Sequence, residues 1–170
     1  MNDDPVLSLP WRQPFLMIDR MIECIPGRRI VTVKAITGED GMVRGYDAGG
    51  LFPGALVLEG MSQSAALLFL LTYPEPAARY RGDPVGGGRR EGGPVGKDGR
   101  RLPMLGLLKA RIRDLARPGD SIVYRVASMK MLRGSGMFRG VARVDGRTIA
   151  EAEMSFASVR APAPDPLERP

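Results

Sequence analysis

Between Gly54 and Thr72 the chain reads GALVLEGMSQSAALLFLLT, a run with one ionisable side chain, Glu59. Pro53 stands just ahead of it, and proline suits the first turn of a helix, where a missing N–H costs nothing. Apolar residues fall on almost every face of the helix this run predicts, so the rest of the protein has to bury it. Its length approaches the roughly 20 residues of a membrane span. Glu59, Ser62, Gln63 and Ser64 crowd its first half, however, and the flanking sequence reads as soluble. The expectation is a central buried helix and no membrane span.

Glu59, Ser62 and Gln63 lie at i, i+3 and i+4, so they predict one short polar stripe on that helix. A carboxylate in such a setting needs a partner or a raised pKa, because an unpaired buried charge is expensive. Two readings of Glu59 stand: a carboxylate tuned for chemistry, or a residue at the wet edge of the helix, solvated or paired with an arginine. Gln63 has the same two readings, as a group that orients Glu59 or as a surface amide.

Around the helix the pattern is that of strands. Leu16 to Glu23 is apolar. Arg29 to Thr37 alternates and is β-branched, and Pro26-Gly27 between these runs is a turn signal. Met42 to Arg44 reads as a short third strand. Leu105 to Ile112, Ser121 to Met129, Met137 to Val144 and Arg147 to Val159 read as further strands, and Asp145-Gly146 is a strong hairpin signal. Leu7 to Phe15, with Pro10 and Pro14, reads as an irregular lead-in. Residues 74–101 are rich in Gly, Pro and Arg and predict a surface loop insertion, while 161–170 predict a flexible tail. The sum is one α+β domain over residues 1–160, an antiparallel sheet wrapped around one helix.

Composition narrows the chemistry. The chain has 170 residues and is 44% hydrophobic, enough for one domain with a real core. A net charge of +6 points to an acidic partner. Nucleic acid is disfavoured, because the arginines are not interleaved with aromatics and no nucleic-acid motif accompanies them. The single cysteine, Cys24, excludes an intrachain disulfide, and with no histidine to activate it reads as an inert thiol. The acidic start, with no apolar signal region, predicts a cytoplasmic protein. There is no histidine at all. That removes His-dependent triads and most zinc catalytic sites, and with no paired cysteines no metal is expected. The ten methionines, among them Met61, Met104, Met129, Met131, Met137 and Met154, read as flexible core or tunnel lining.

Three segments carry a resemblance. Leu9-Pro10-Trp11-Arg12-Gln13-Pro14-Phe15-Leu16-Met17-Ile18-Asp19-Arg20 resembles the opening motif of the 3-hydroxyacyl-ACP dehydratases of type II fatty acid synthesis. Phe52-Pro53-Gly54-Ala55-Leu56-Val57-Leu58-Glu59-Gly60-Met61-Ser62-Gln63 resembles their central-helix motif, and Arg133 to Gly146 resembles their last hairpin. The resemblance runs from Leu9 to about Val159. It implies a hot-dog fold, with two protomers joined edge to edge. The implied substrate is carried on the phosphopantetheine of acyl carrier protein, or of CoA, in a tunnel at the dimer interface, and no other cofactor is implied.

The resemblance also implies roles. Glu59 matches the carboxylate that serves the departing β-hydroxyl, and the backbone N–H of Gly54 matches the donor to the thioester carbonyl. Phe52, Pro53 and Met61 belong to the substrate-binding motif. The family's base is a histidine in Gly-His-Phe-x-Gly. Here that pattern reads Gly45-Tyr46-Asp47-Ala48-Gly49, with about one residue deleted before Phe52 and Tyr46 nearest the histidine position. Trp11 likewise replaces a histidine common in the opening motif. Tyrosine, with a pKa near 10, is a poor base at pH 7. Asp47 is one residue away, but in an extended segment it points to the opposite face.

Stand-alone dehydration is therefore expected to be impaired. Three functions follow: a dehydratase relative working as a homodimer or as a heterodimer with an active paralogue, a hot-dog enzyme with altered chemistry (thioesterase or isomerase), or a non-catalytic module that binds acyl carrier protein.

Overall fold

In a computed structural model, residues 4–38, 50–73 and 101–160 are described, apart from the side chains of 101–104, 107–108 and 158–160. The expectations for Met42 to Arg44, Tyr46, Asp47, residues 74–100 and the tail lie outside these residues. A single 3-10 turn, Pro5–Ser8, opens the lead-in, where the Asp4 side chain accepts from the Val6 N–H at 3.0 Å. Strands β1 (Arg20–Ile25) and β2 (Arg29–Ala35) follow, then helix α1 (Gly54–Thr72). Strands β3 (Arg101–Ile112), β4 (Ser121–Leu132), β5 (Ser135–Val144) and β6 (Arg147–Arg160) complete the chain. All neighbouring strands pair antiparallel in one six-stranded sheet of order β1-β2-β4-β5-β6-β3.

Alternation along β4 and β5 decides which face meets the helix. Ile122, Tyr124 and Val126 on β4, with Phe138, Ala142 and Val144 on β5, are buried, whereas Arg125, Ala127, Arg139 and Arg143 between them are exposed. α1 lies across the apolar face and touches β2 through β6. It is long and apolar enough to cross a membrane by length and composition, yet Val57 and the whole run from Gly60 to Phe69 are buried within the fold. This is a hot-dog architecture. Asp145 and Gly146 both have positive φ, 48° and 79°, the requirement of the tight hairpin that Asp-Gly predicts.

Several local expectations change. Leu16, Met17 and Ile18 are buried but precede the first strand, which begins only at Arg20: their backbone is engaged by the helix, as the Met17 N–H shows below. β3 begins at Arg101, inside the predicted insertion, because β6 runs to Arg160 and supplies its partners. Met129 and Met137 are about half exposed, one at a bulge in β4 and the other on the sheet's outer face, so neither belongs to the core.

The helix is fixed to β2 by a buried polar contact. The Thr32 and Ser64 hydroxyls lie 2.7 Å apart, and Ser64 donates to the Gly60 carbonyl at 2.7 Å. Ser64→Ala strands the Thr32 hydroxyl and should cost about 1–2 kcal/mol, while adding Thr32→Val should recover part of it. Urea denaturation of the single and double variants checks this. A double variant no better than Ser64→Ala would deny the pairing.

Candidate functional site

The site begins where α1 begins. Phe52 is fully buried, and its N–H donates to the Ala116 carbonyl at 2.8 Å, which pins the chain just before the helix. Pro53 is the N-cap residue; no side chain caps this end. The first-turn N–H groups of a helix lack intrahelical acceptors and carry the positive end of its dipole. A side chain at Gly54 would have to displace the end of the half-exposed Ile112. A Cβ there would stand 2.7 Å from Ile112 Cδ1 and 3.3 Å from Leu115 Cδ2. The β3 edge thus closes down on the helix start.

Glu59 lies farther along the same helix, partly buried. Its neighbour Gln63 is fully buried and spends its amide on three partners. Nε2 donates to Glu59 Oε1 at 2.9 Å and to the Phe15 carbonyl at 2.8 Å, and Oε1 accepts from the Met17 N–H at 2.8 Å. Gln63 is therefore no surface amide: it ties the lead-in to the helix and holds one oxygen of Glu59. Burial pushes the Glu59 carboxyl above its ordinary 4.5, and the Gln63 hydrogen bond pulls it partly back. No salt bridge joins Glu59 to a cation among the described residues. A carboxyl that binds its proton more tightly than a free one, with one oxygen fixed, is suited to general acid work.

The predicted stripe is only partly real. Ser62 is buried and turns to Met154 Sδ at 3.6 Å, away from the Glu59–Gln63 pair. Met61 is fully buried, with its sulfur 3.0 Å from the place a Gly140 Cβ would take. Cys24 is partly buried, and burial raises its thiol, which leaves it protonated and unreactive at neutral pH. Trp11 packs partly buried against the core. Among the described residues no group of three or more His, Cys, Asp or Glu could hold a metal.

One partnership escaped sequence reasoning. Gly60 lies directly over the ring of Tyr124 from β4, where a Cβ would come within 2.3 Å of Cζ and 2.4 Å of the hydroxyl. The Tyr124 hydroxyl is fully buried without a hydrogen-bond partner among the described residues, and burial, with Asp19 adding, raises its pKa far from neutrality. The only signal in the sequence was a helical glycine where alanine would serve the helix better.

A sheet wrapped on one apolar helix, with the Glu59 carboxylate held by Gln63 in the first half of that helix, defines the class: a hot-dog protein. No family model matches the chain, but curated relatives do. It is 35% identical over 160 residues to the 3-hydroxyacyl-[acyl-carrier-protein] dehydratase FabZ of Symbiobacterium thermophilum, covering 93% of this chain and 96% of that one. To the FabZ of Enterococcus faecalis it is 34% identical over 149 residues, covering 87% and 90%. The chain belongs to the FabZ dehydratase family. In fold it is similar to the dehydratase heterocomplex ApeI:P from Xenorhabdus doucetiae, with TM-score 0.69, 13% identity and coverage of 94% and 93%. It is also similar to zebra fish thioesterase superfamily member 2, with TM-score 0.59, 12% identity and coverage of 90% and 89%.

Proposed function

We propose that this chain is the carboxylate-bearing subunit of a cytoplasmic 3-hydroxyacyl-ACP dehydratase, and that a histidine from a partner subunit supplies the base. The observation that carries this is a chain with Glu59 held in place by Gln63 and no histidine anywhere. Elimination of water needs a base for the proton next to the thioester carbonyl and an acid for the β-hydroxyl. As the C–H bond breaks, its electron pair forms the new double bond, the C–O bond breaks, and the hydroxyl leaves as water with the Glu59 proton. The Gly54 N–H at the positive end of α1 stabilises charge on the carbonyl oxygen. Tyr46, at the position of the family's histidine, cannot replace it as a base, although its hydroxyl can donate a hydrogen bond.

Membership of the FabZ family supports an acyl-carrier-protein substrate, and the basic net charge of +6 suits an acidic carrier. The fold's likeness to the ApeI:P dehydratase heterocomplex supports a mixed dimer. The test is mass-spectrometric: 3-hydroxyacyl-ACP is given to the isolated chain, to a histidine-bearing paralogue from the same organism, and to their mixture. The isolated chain should be slower than the paralogue by about 10²–10⁴, the typical worth of a positioned base. The mixture should form a heterodimer in which Glu59 is needed for turnover. Full turnover by the isolated chain would overturn the proposal, as would a failure to associate. Thioester hydrolysis by the chain alone would assign it to the altered-chemistry branch.

A further inference from the structure

The outer face of the sheet, turned away from α1, carries charge that neither the fold nor the acyl site uses. Strand register places Arg139, Glu153 and Lys109 side by side across β5, β6 and β3. The next row, from β4 to β3, runs Arg125, Val141, Glu151, Arg111. Arg143 stands opposite Val123 beyond it. Three carboxylates on this face are already committed, Glu153 to Arg139 at 2.9 Å, Glu151 to Arg113 at 2.8 Å, and Glu23, in the Arg125 row through Val31, to Arg29 at 2.7 Å. Lys109, Arg111, Arg125 and Arg143 are exposed and form no ion pair among the described residues. With Arg29, Arg113 and Arg139 these make seven cations against three carboxylates, an excess of four.

Rows on one face of a strand repeat at about 6.8 Å and strands lie about 4.8 Å apart, so these cations sit close together on a stiff, hydrogen-bonded lattice. Like charges at such spacing oppose folding slightly, so stability does not account for them. Between Lys109 and Arg111 on one side and Arg139 on the other, the face dips into a shallow groove of about 380 Å³, with Glu151, Glu153 and Val141 in its lining.

We propose that this outer face docks an acidic protein, on the side of the sheet opposite the acyl site. The excess of unpaired cations provides the attraction and steering. The two carboxylates inside the groove select against nucleic acid, whose duplex presents a phosphate charge about every 1.7 Å and would meet them head-on. A protein surface meets the same pattern with spaced carboxylates of its own and leaves Glu151 and Glu153 to their arginines.

The probe is fluorescein-labelled poly-L-glutamate, followed by anisotropy at physiological ionic strength, with a DNA duplex of matched charge as competitor. The variant Arg111→Glu/Arg143→Glu removes the lattice charge, and Arg111→Ala/Arg143→Ala does so without reversal. Arg117→Glu/Arg133→Glu makes the same change in charge at exposed turn positions away from the face. Affinity should fall about tenfold or more in the face variants and by about twofold or less in the control. Thermal melts of these surface variants should match the wild type, and their turnover in the mixed dehydratase assay should be unchanged, which separates this surface from the acyl site. Equal losses in face and control variants, tighter binding of the duplex than of polyglutamate, or no binding by the wild type would each overturn the proposal.

Discussion

Glu59→Gln should abolish water loss by the mixed dehydratase while making this chain more stable at neutral pH. The two effects have one origin. Glu59 is partly buried, no salt bridge compensates its charge among the described residues, and burial holds its carboxyl above the ordinary 4.5. A group whose folded pKa is raised binds protons more tightly in the folded protein than in the unfolded one. Its contribution to stability is thus fully present below the unfolded value and is lost as pH rises through the folded one. The wild type should weaken as pH climbs out of the acid range, and the glutamine variant should not show that segment of the decline. Glutamine also keeps an oxygen to accept from Gln63 Nε2, so the local geometry survives. Without an acid for the leaving hydroxyl, turnover should drop by about 10²–10⁴. Thermal melts at several pH values, paired with the mass-spectrometric assay, check both halves. A variant that melts lower at pH 7 and keeps its activity would remove Glu59 from the chemistry and return it to a structural role.

Gly60→Ala is the second large effect, and its direction runs against helix propensity. In a plain helix the change is worth up to about 1 kcal/mol in favour of alanine. Here the new methyl would lie 2.3 Å from Tyr124 Cζ and 2.8 Å from Cε2, on a fully buried ring backed by the sheet. Either α1 lifts or the ring leaves its rotamer, and overpacking of this kind costs about 1–3 kcal/mol. The clash should win, lowering Tm by several degrees at about 2–4 °C per kcal/mol. Tyr124→Phe in the same background should not rescue it, because Cζ and Cε2 remain, whereas Tyr124→Leu should. Tyr124→Phe alone should be neutral or stabilising by up to about 1 kcal/mol, since the hydroxyl it removes is buried without a partner among the described residues. A Gly60→Ala protein that melts with the wild type would mean the helix has room to shift.

What could be read from the chain follows from the range over which each feature is encoded. The bounds of α1, the Asp145-Gly146 turn and the alternation of β4 and β5 are local patterns, and all three appear where the residues put them. The start of β3 at Arg101 was not legible, because its partners come from the far end of β6 and composition there reads as loop. The spacing of Glu59 and Gln63 placed them on one helix face, yet nothing local says that Gln63 also receives the Met17 N–H. Gly60 and Tyr124 are a pair only in three dimensions. The residues at the family's histidine position, Tyr46 and Asp47, are legible as a departure from a pattern, and their placement lies outside the described residues.

The Gln63 amide has a practical consequence for anyone handling this protein. Two of its three hydrogen bonds make the segment at Phe15 and Met17 part of the carboxylate's mounting, across 46 positions of sequence to Met17 and 48 to Phe15. A start trimmed past Phe15 or Met17 removes part of the bracket that holds Glu59. Preparations that differ only there should be compared for turnover before any of them stands for the native protein.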